Sequence, residues 1–345
     1  MPQMTDGSII ERHFENEHYK VLFNQKTGFF VRCEDEGFPE PRWSSHGPEL
    51  IDLSITNYCE RNCAFCYRKT LSSDAYFMSI EDVENVVKQA ASCGTMQIAL
   101  GGGNPNQHPN FVEILRTIRQ EGIVPSYTTN GDGLTDEVLK ATEECCGAMA
   151  VSVYPPFAEE RYGNILGRMA KYHIRVNLHA IIIDETLDMW MRWLLKPPSF
   201  FRDVNAVIFL NYKPVKGGFS QIGINRARTF FETVSRCQNL KIGFDSCCIS
   251  GIVQWMKVPA CLVESCEAAR VSAFISEKMR MYPCSFMVDN KEYGDLSKEK
   301  LGDVWQENAL FKRFREDSLH SRCTACQHAE ICRGGCRLYE QINWC

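Results

Sequence analysis

Cys59, Cys63 and Cys66 stand in the segment NYCERNCAFCYR, in the spacing C-x3-C-x2-C. Three thiolates on one short loop can each hold a different iron of a cubane [4Fe–4S] cluster, which leaves the fourth iron without a protein ligand. An open coordination position separates a catalytic metal site from a structural one, because a substrate or cofactor can then bind the metal directly. Zinc is the competing occupant, but it asks for a fourth protein ligand and usually shows two C-x2-C pairs. A second group crowds the last quarter of the chain: Cys261, Cys266, Cys284, Cys323, Cys326, Cys332, Cys336 and Cys345, with C-x2-C-x5-C-x3-C running from Cys323 to Cys336. Eight thiolates make two complete sets of four, as closed clusters require. Zinc ribbons are the alternative here too.

These are eleven of 18 cysteines in 345 residues, and the start of the sequence, MPQMTDGSIIERHFENEH, is too polar for an export signal. Cytosolic thiols stay reduced, so clustered cysteines there bind metal more often than they form disulfides; a cytoplasmic protein is expected. With 44% apolar and 23% charged residues the composition is that of a globular enzyme and excludes disorder. No apolar run is long enough to span a membrane. The balance of 38 basic against 43 acidic side chains, net −5, argues against a nucleic-acid track.

The elements that must position the cysteines read as strands alternating with helices. Residues 18–34 form a small hairpin in this reading. From there LIDLSIT, MQIALGG, VPSYTTN, AMAVSVY, RVNLHAIII and NAVIFLNY alternate with helical stretches 79–93, 110–122, 135–146, 157–173, 186–195 and 222–237. Such a series implies a parallel sheet. Ser79 with Asp82, and Thr135 before DEVLKA, supply helix starts. Period two then sorts the faces: Arg175, Asn177 and His179 share one, as do Ser126, Thr128 and Asn130, and Asp52, Ser54 and Thr56. Helices on one face and polar side chains on the other predict a curled α/β sheet, a partial (β/α)6 TIM-like barrel. A doubly wound sheet would be apolar on both faces. Sites in such barrels form at the carboxyl ends of the strands, and the first cysteine group follows the first strand. Three regions result: 1–48, the hairpin and lead-in; 49–247, the barrel; and 248–345, a small cysteine-rich domain.

The first cysteine group, with Phe65 before its last cysteine and Tyr67 after it, resembles the radical S-adenosylmethionine (radical SAM) superfamily. The resemblance implies that the methionine part of SAM chelates the open iron and that an electron from the cluster breaks the C5′–S bond. The resulting 5′-deoxyadenosyl radical then abstracts a hydrogen from an unreactive carbon. ALGGGNP, residues 99–105, resembles the family's Gly-Gly-Glu-Pro turn, which assigns Gly102 and Gly103 to close approach of the SAM amino group, with Asn104 in place of the usual Glu. TTNG places Asn130 near the sugar or methionine. Ser152 matches the Ser of the family's Ser-x-Asp, whose acid is Tyr154 here. Tyr212, in FLNYKPVKG, falls at the adenine end, and Tyr67 is a further expected cofactor contact. His179, on the inward face of its strand, is a candidate contact to SAM or substrate, with a hydrogen-bonded core histidine as its plainer role.

The last quarter resembles the SPASM extension, which holds two auxiliary [4Fe–4S] clusters. The resemblance gives Cys261, Cys266, Cys284 and Cys336 to one and Cys323, Cys326, Cys332 and Cys345 to the other. Met279 stands where the family has Gly, and Cys345 is the last residue of the sequence. Chain ends fray, which sets the ligation by Cys345 apart from the others.

Together the resemblances imply an enzyme with SAM and three [4Fe–4S] clusters that crosslinks, dehydrogenates or epimerises a peptide or protein substrate. A flavodoxin or ferredoxin-type reductant and a separate leader-peptide recognition protein are the expected partners, with no nucleic acid and no membrane. Asp245 is a candidate base, and Cys247 and Cys248 are candidate hydrogen donors; core packing or turn capping are their plainer roles. Alternative readings are a radical SAM oxidoreductase of a small molecule and a non-catalytic zinc protein.

Overall fold

In the computed structural model the apolar runs become strands and the stretches between them helices. The structure describes residues 9–345 except 27, 40, 62, 64, 69–73, 156, 215–217 and 317–322. The first eight residues of the polar start and the Val-Lys-Gly end of FLNYKPVKG therefore lie outside the described residues. The chain divides into two compact units: Met1–Glu60, Thr70–Met149 and Ala268–Arg315 in one, Arg61–Lys69, Ala150–Glu267 and Glu316–Cys345 in the other.

In the first unit the expected hairpin is a three-stranded antiparallel sheet, β1 (Ile9–Phe14), β2 (Tyr19–Asn24) and β3 (Phe30–Glu34), because IIERHF adds a strand outside the predicted pair. Tyr19, Val21 and Phe23 of β2 are fully buried and pack with Met96 and Val124. Next come β4 (Leu50–Thr56), α1 (Ile80–Ser92), β5 (Gln97–Gly102), α2 (Phe111–Gln120), β6 (Val124–Thr129) and α3 (Asp136–Cys145), with β4, β5 and β6 side by side and parallel. Ser79 Oγ accepts the Asp82 N–H at 3.0 Å and Thr135 Oγ1 that of Val138 at 3.2 Å, so both helices start at the expected caps. Each helix buries one stripe, such as Phe111, Ile114, Leu115 and Ile118 in α2.

The cysteine-rich region contributes β11 (Ser272–Ile275) to this unit, parallel to β4, followed by antiparallel β12 (Arg280–Tyr282) and β13 (Gly294–Asp295). Just past β11, buried Glu277 accepts the Ser54 hydroxyl at 2.8 Å. Met279 takes φ 58°, so this turn uses the left-handed conformation although a side chain occupies it. Helices α8 (Leu301–Glu307) and α9 (Ala309–Arg315) follow.

The second unit has β7 (Met149–Val153), α4 (Glu159–Ala170), β8 (Val176–Ile182), α5 (Asp184–Leu195), β9 (Ala206–Asn211), α6 (Ile224–Val234), β10 (Ile242–Phe244) and α7 (Ile249–Trp255). The strands run in the order β7, β8, β9, β10, with β8, β9 and β10 parallel. In β8, Val176, Leu178, Ala180 and Ile182 are buried while Asn177, His179 and Ile181 are half-buried, the face sorting that period two implies. A short helix, α10 (Ala329–Cys332), lies in the last cysteine-rich stretch.

Candidate active site

The carboxyl end of β4 runs through Asn57 and Tyr58 into Cys59, and this stem is pinned to the segment that returns from the loop. Thr56 Oγ1 donates to the Tyr76 carbonyl at 2.7 Å, Asn57 Oδ1 accepts the Tyr76 N–H at 2.7 Å, and the Ile55 carbonyl accepts the Met78 N–H at 2.8 Å. The glycine turn after β5 closes on the same stem: the Gly103 N–H reaches the Thr56 carbonyl at 2.7 Å and that of Asn104 the Tyr58 carbonyl at 2.8 Å. A Cβ on Gly102 would stand 2.1 Å from the Thr56 oxygen, and one on Gly103 1.9 Å from the Tyr58 oxygen. Gly102 also has φ 109°. The glycines are therefore required by the backbone beside the cysteine loop.

Asn104 lies in the same turn. It is buried, its Oδ1 accepts Thr129 Oγ1 at 3.0 Å and the Asn130 N–H at 3.1 Å, and its Nδ2 donates to the Asp132 carbonyl at 3.0 Å. It ties the end of β5 to the end of β6, and a Glu in its place would have no donor for Asp132. Asn130 is turned to the cysteine loop: its Oδ1 accepts the Asp132 N–H at 2.8 Å and its Nδ2 donates to Cys59 Sγ at 3.5 Å. On β4, Asp52 exposes surface to solvent yet is surrounded by protein, and this desolvation raises its carboxyl to about 6.

In the second unit the Cys63 carbonyl accepts the Cys66 N–H at 3.0 Å, and the Cys66 thiol meets the Arg68 carbonyl at 3.2 Å. Cys63 Sγ lies 3.8 Å from the Tyr154 hydroxyl. Phe65 packs edge-on against Tyr154, centroids 4.8 Å apart, and stacks on Phe219 at 4.6 Å. Tyr212 is buried and its hydroxyl accepts the Phe219 N–H at 3.4 Å, so it helps build this aromatic wall. Tyr67 and Ser152 are half-buried. His179 is driven down to about 4 by burial, against the opposing pull of Asp245, and is a neutral imidazole.

Asp245 is committed elsewhere than to a free base. Its Oδ2 lies 2.9 Å from Lys213 Nζ, and its Oδ1 accepts the Asn211 N–H and the Cys248 thiol, both at 3.1 Å. Cys248 is fully buried against Asp245. Lys213, missed by sequence reading, also hydrogen-bonds Cys247. The Cys247 thiol in turn donates to Cys336, and this bond holds the Cys336 sulfur down at about 6, the thiolate form a metal needs.

Cys345, Cys323 and Cys326 all act on Cys332, whose thiol is pushed up to about 11 by burial first and by these neighbours second. These three thiols are thus electrostatic neighbours of Cys332, while Cys336 is turned to Cys247. Cys261 is exposed and Cys266 half-buried in the same unit; Cys284 is half-buried in the other. The segment before Cys345 is anchored. Trp344 is buried, its N–H donates to Ser250 Oγ at 3.2 Å, its indole donates to the Ile222 carbonyl at 3.3 Å, and its ring packs edge-on against Phe231.

All these cysteines are free thiols. Among the described residues no three His, Cys, Asp or Glu side chains gather closely enough to hold one ion. A cubane asks for something different, sulfurs spaced so that each meets its own iron. The donor set fits that group: soft thiols, with the Asn130 amide nitrogen at Cys59 and the Tyr154 hydroxyl at Cys63.

Residues 53–197 match the model of the radical SAM superfamily, and residues 266–327 that of the SPASM iron–sulfur cluster-binding domain. The chain belongs to the radical SAM superfamily and carries a SPASM domain. It is similar to the AdoMet-dependent heme synthase of Methanosarcina barkeri, 21% identical over 85% of this chain and 92% of that one. It is 33% identical to the GTP 3',8-cyclase of Yersinia pestis over 46% of this chain, and spans about half of the cyclase, 54%. Among solved structures, SuiB of Streptococcus suis bound to S-adenosylmethionine superposes with TM-score 0.77, covering 96% of this chain and 95% of that one at 15% identity. The SuiB complex with its precursor peptide SuiA gives 0.76 at 14% identity, covering 95% and 94%. At that identity the likeness is one of fold: this radical SAM enzyme has a mixed α/β fold with a parallel sheet. Among the described residues no helix is long and apolar enough to cross a membrane.

Proposed function

We propose that this radical SAM enzyme modifies a peptide or protein, producing a crosslinked or dehydrogenated residue, with epimerisation as the redox-neutral variant. The observation that supports this reading is the likeness in fold, over almost the whole chain, to SuiB, a protein whose structure also exists with a precursor peptide. Cys59, Cys63 and Cys66 would hold the cluster to which SAM binds. Cys261, Cys266, Cys284 and Cys336 would hold one auxiliary cluster, and Cys323, Cys326, Cys332 and Cys345 the other. When bound, these groups supply one-electron cleavage of SAM, hence a hydrogen-abstracting radical, and a sink for a second electron.

The chain's own residues orient and exclude water. Phe65, Tyr154, Phe219 and Tyr212 form an apolar wall beside the cysteine loop that keeps solvent from a reactive species. The stem hydrogen bonds to residues 74–78 fix where the loop begins. The regions 1–48, 49–247 and 248–345 serve as lead-in, radical SAM barrel and auxiliary-cluster domain. A flavodoxin or ferredoxin-type reductant would deliver the electron in the cytoplasm, and a separate protein would present the leader peptide.

Anaerobic co-expression with candidate peptides, read by mass spectrometry, tests the reading. Loss of two hydrogens, or a deuterium gained from heavy water without other mass change, supports it. Unmodified peptides throughout, with SAM cleavage driven by a small metabolite, overturn it. That second reading has its own observation, the similarity to a heme synthase along most of both chains.

A further inference from the structure

Two side chains outside the cysteine motif meet its sulfurs: Asn130 through its amide nitrogen at Cys59 and Tyr154 through its hydroxyl at Cys63. We propose that Asn130 and Tyr154 are hydrogen-bond donors to the cluster sulfurs of Cys59 and Cys63, and that they set the potential at which this cluster accepts its electron. The inference rests on the assignment of Cys59, Cys63 and Cys66 as ligands.

The orientation of Asn130 is fixed by its other bonds. Its Oδ1 is occupied by the Asp132 N–H at 2.8 Å, so the amide end that faces Cys59 Sγ at 3.5 Å is the nitrogen, which can only donate. Its own N–H is held by Asn104 Oδ1 at 3.1 Å, and Asn104 is buried and bonded at both ends of its amide. Tyr154 is held by its ring against Phe65 and by its backbone, whose N–H and carbonyl both meet the Tyr162 hydroxyl, at 3.4 and 3.5 Å. Its hydroxyl stands 3.8 Å from Cys63 Sγ. A sulfur bound to iron carries no proton, so in that state the phenol is the donor.

A hydrogen bond to a ligating sulfur draws off negative charge and favours the reduced, more negative cluster, which raises its potential. Both donors are positioning residues, with no contact to a reacting carbon required.

The test uses the full-length holoenzyme, in which the cluster that binds SAM is the one whose electron paramagnetic resonance spectrum changes when SAM is added. Its midpoint is measured by redox titration in the parent, Tyr154→Phe, Asn130→Asp and the double variant. Tyr154→Phe keeps the ring on Phe65 and removes only the donor, so it carries the neutral test; Asn130→Asp keeps the acceptor for Asp132 and replaces the other donor by a negative charge, which lowers the midpoint in the same sense. A midpoint does not depend on the fraction of protein loaded, so reduced iron content leaves the measurement readable. The expected result is a negative shift in each single variant, a larger one in the double, and unchanged auxiliary signals. An unchanged midpoint in Tyr154→Phe and Asn130→Asp overturns the inference. A parent protein with no SAM-responsive spectrum overturns instead the ligand assignment beneath it.

Discussion

Lys213 Nζ and Asp245 Oδ2 lie 2.9 Å apart, the lysine side chain only 6% exposed and the carboxylate 22%. Removing one partner from such a pair leaves a charge without compensation, whereas replacing both by apolar groups is often tolerated. Lys213→Met is expected to lose about 3 kcal/mol of stability, with Lys213→Met/Asp245→Leu recovering most of it. Anaerobic denaturant titration measures both. Equal losses in the single and double variants would contradict the pairing.

The glycine turn makes a graded prediction. Gly101 has open space where a side-chain carbon would stand, while Gly102 and Gly103 have backbone oxygens at 2.1 and 1.9 Å from that position. Gly101→Ala should keep iron content and SAM cleavage near the parent level, and Gly103→Ala should lower both together with thermal stability. Iron analysis and 5′-deoxyadenosine release check the contrast.

Acid should destabilise the fold through particular histidines. Burial holds His46 and His179 near 4, below their unfolded value of about 6.5, so the unfolded chain takes up protons first as pH falls. Their contribution is complete above pH 6.5 and is lost between there and pH 4. Asp52 works the other way, because its raised carboxyl binds a proton in the folded state first. His46→Gln should flatten the decline in stability between pH 6.5 and 4, and Asp52→Asn should steepen it, as read from denaturation midpoints.

Three cubanes correspond to about twelve irons per chain. Cys332, the thiol acted on by Cys323, Cys326 and Cys345, is expected on Cys332→Ala to cost the enzyme about four irons and to spare SAM cleavage. Cys63→Ala should abolish 5′-deoxyadenosine while most iron stays bound. Iron assay beside chromatography of the nucleoside separates these outcomes.

At Met279 two effects compete. A left-handed non-glycine residue is strained by roughly 1 kcal/mol, but its side chain is 6% exposed and truncating a buried Met costs about 2–5 kcal/mol. Met279→Gly is therefore expected to destabilise by about 2 kcal/mol, although it restores the family's residue. A rise in melting temperature would show that strain dominates.

What could be read from the residues follows physical range. Strands such as VNLHAII and helices such as FVEILRTIRQ carry their period within the segment, so they were visible, as were the caps at Ser79 and Thr135. The strand IIERHF was not, since charged and polar residues interrupt its alternation. Nor was β11, four residues whose register is with Leu50–Leu53 far back along the chain. Among site residues the cysteine spacing announces itself locally. The Asn104 oxygen bonded to Thr129, and Lys213 bonded to Asp245, are pairings across the fold that leave no local trace.

The indole of Trp344, clasped by Phe231 and by the carbonyl of Ile222, bears on how readily the neighbouring thiol can be recruited. A dangling ligand surrenders chain freedom each time it captures metal, and its affinity is weakened by that entropy. Here residues 342–344 are already immobilised by burial, so Cys345 can close a four-cysteine cage with little further ordering.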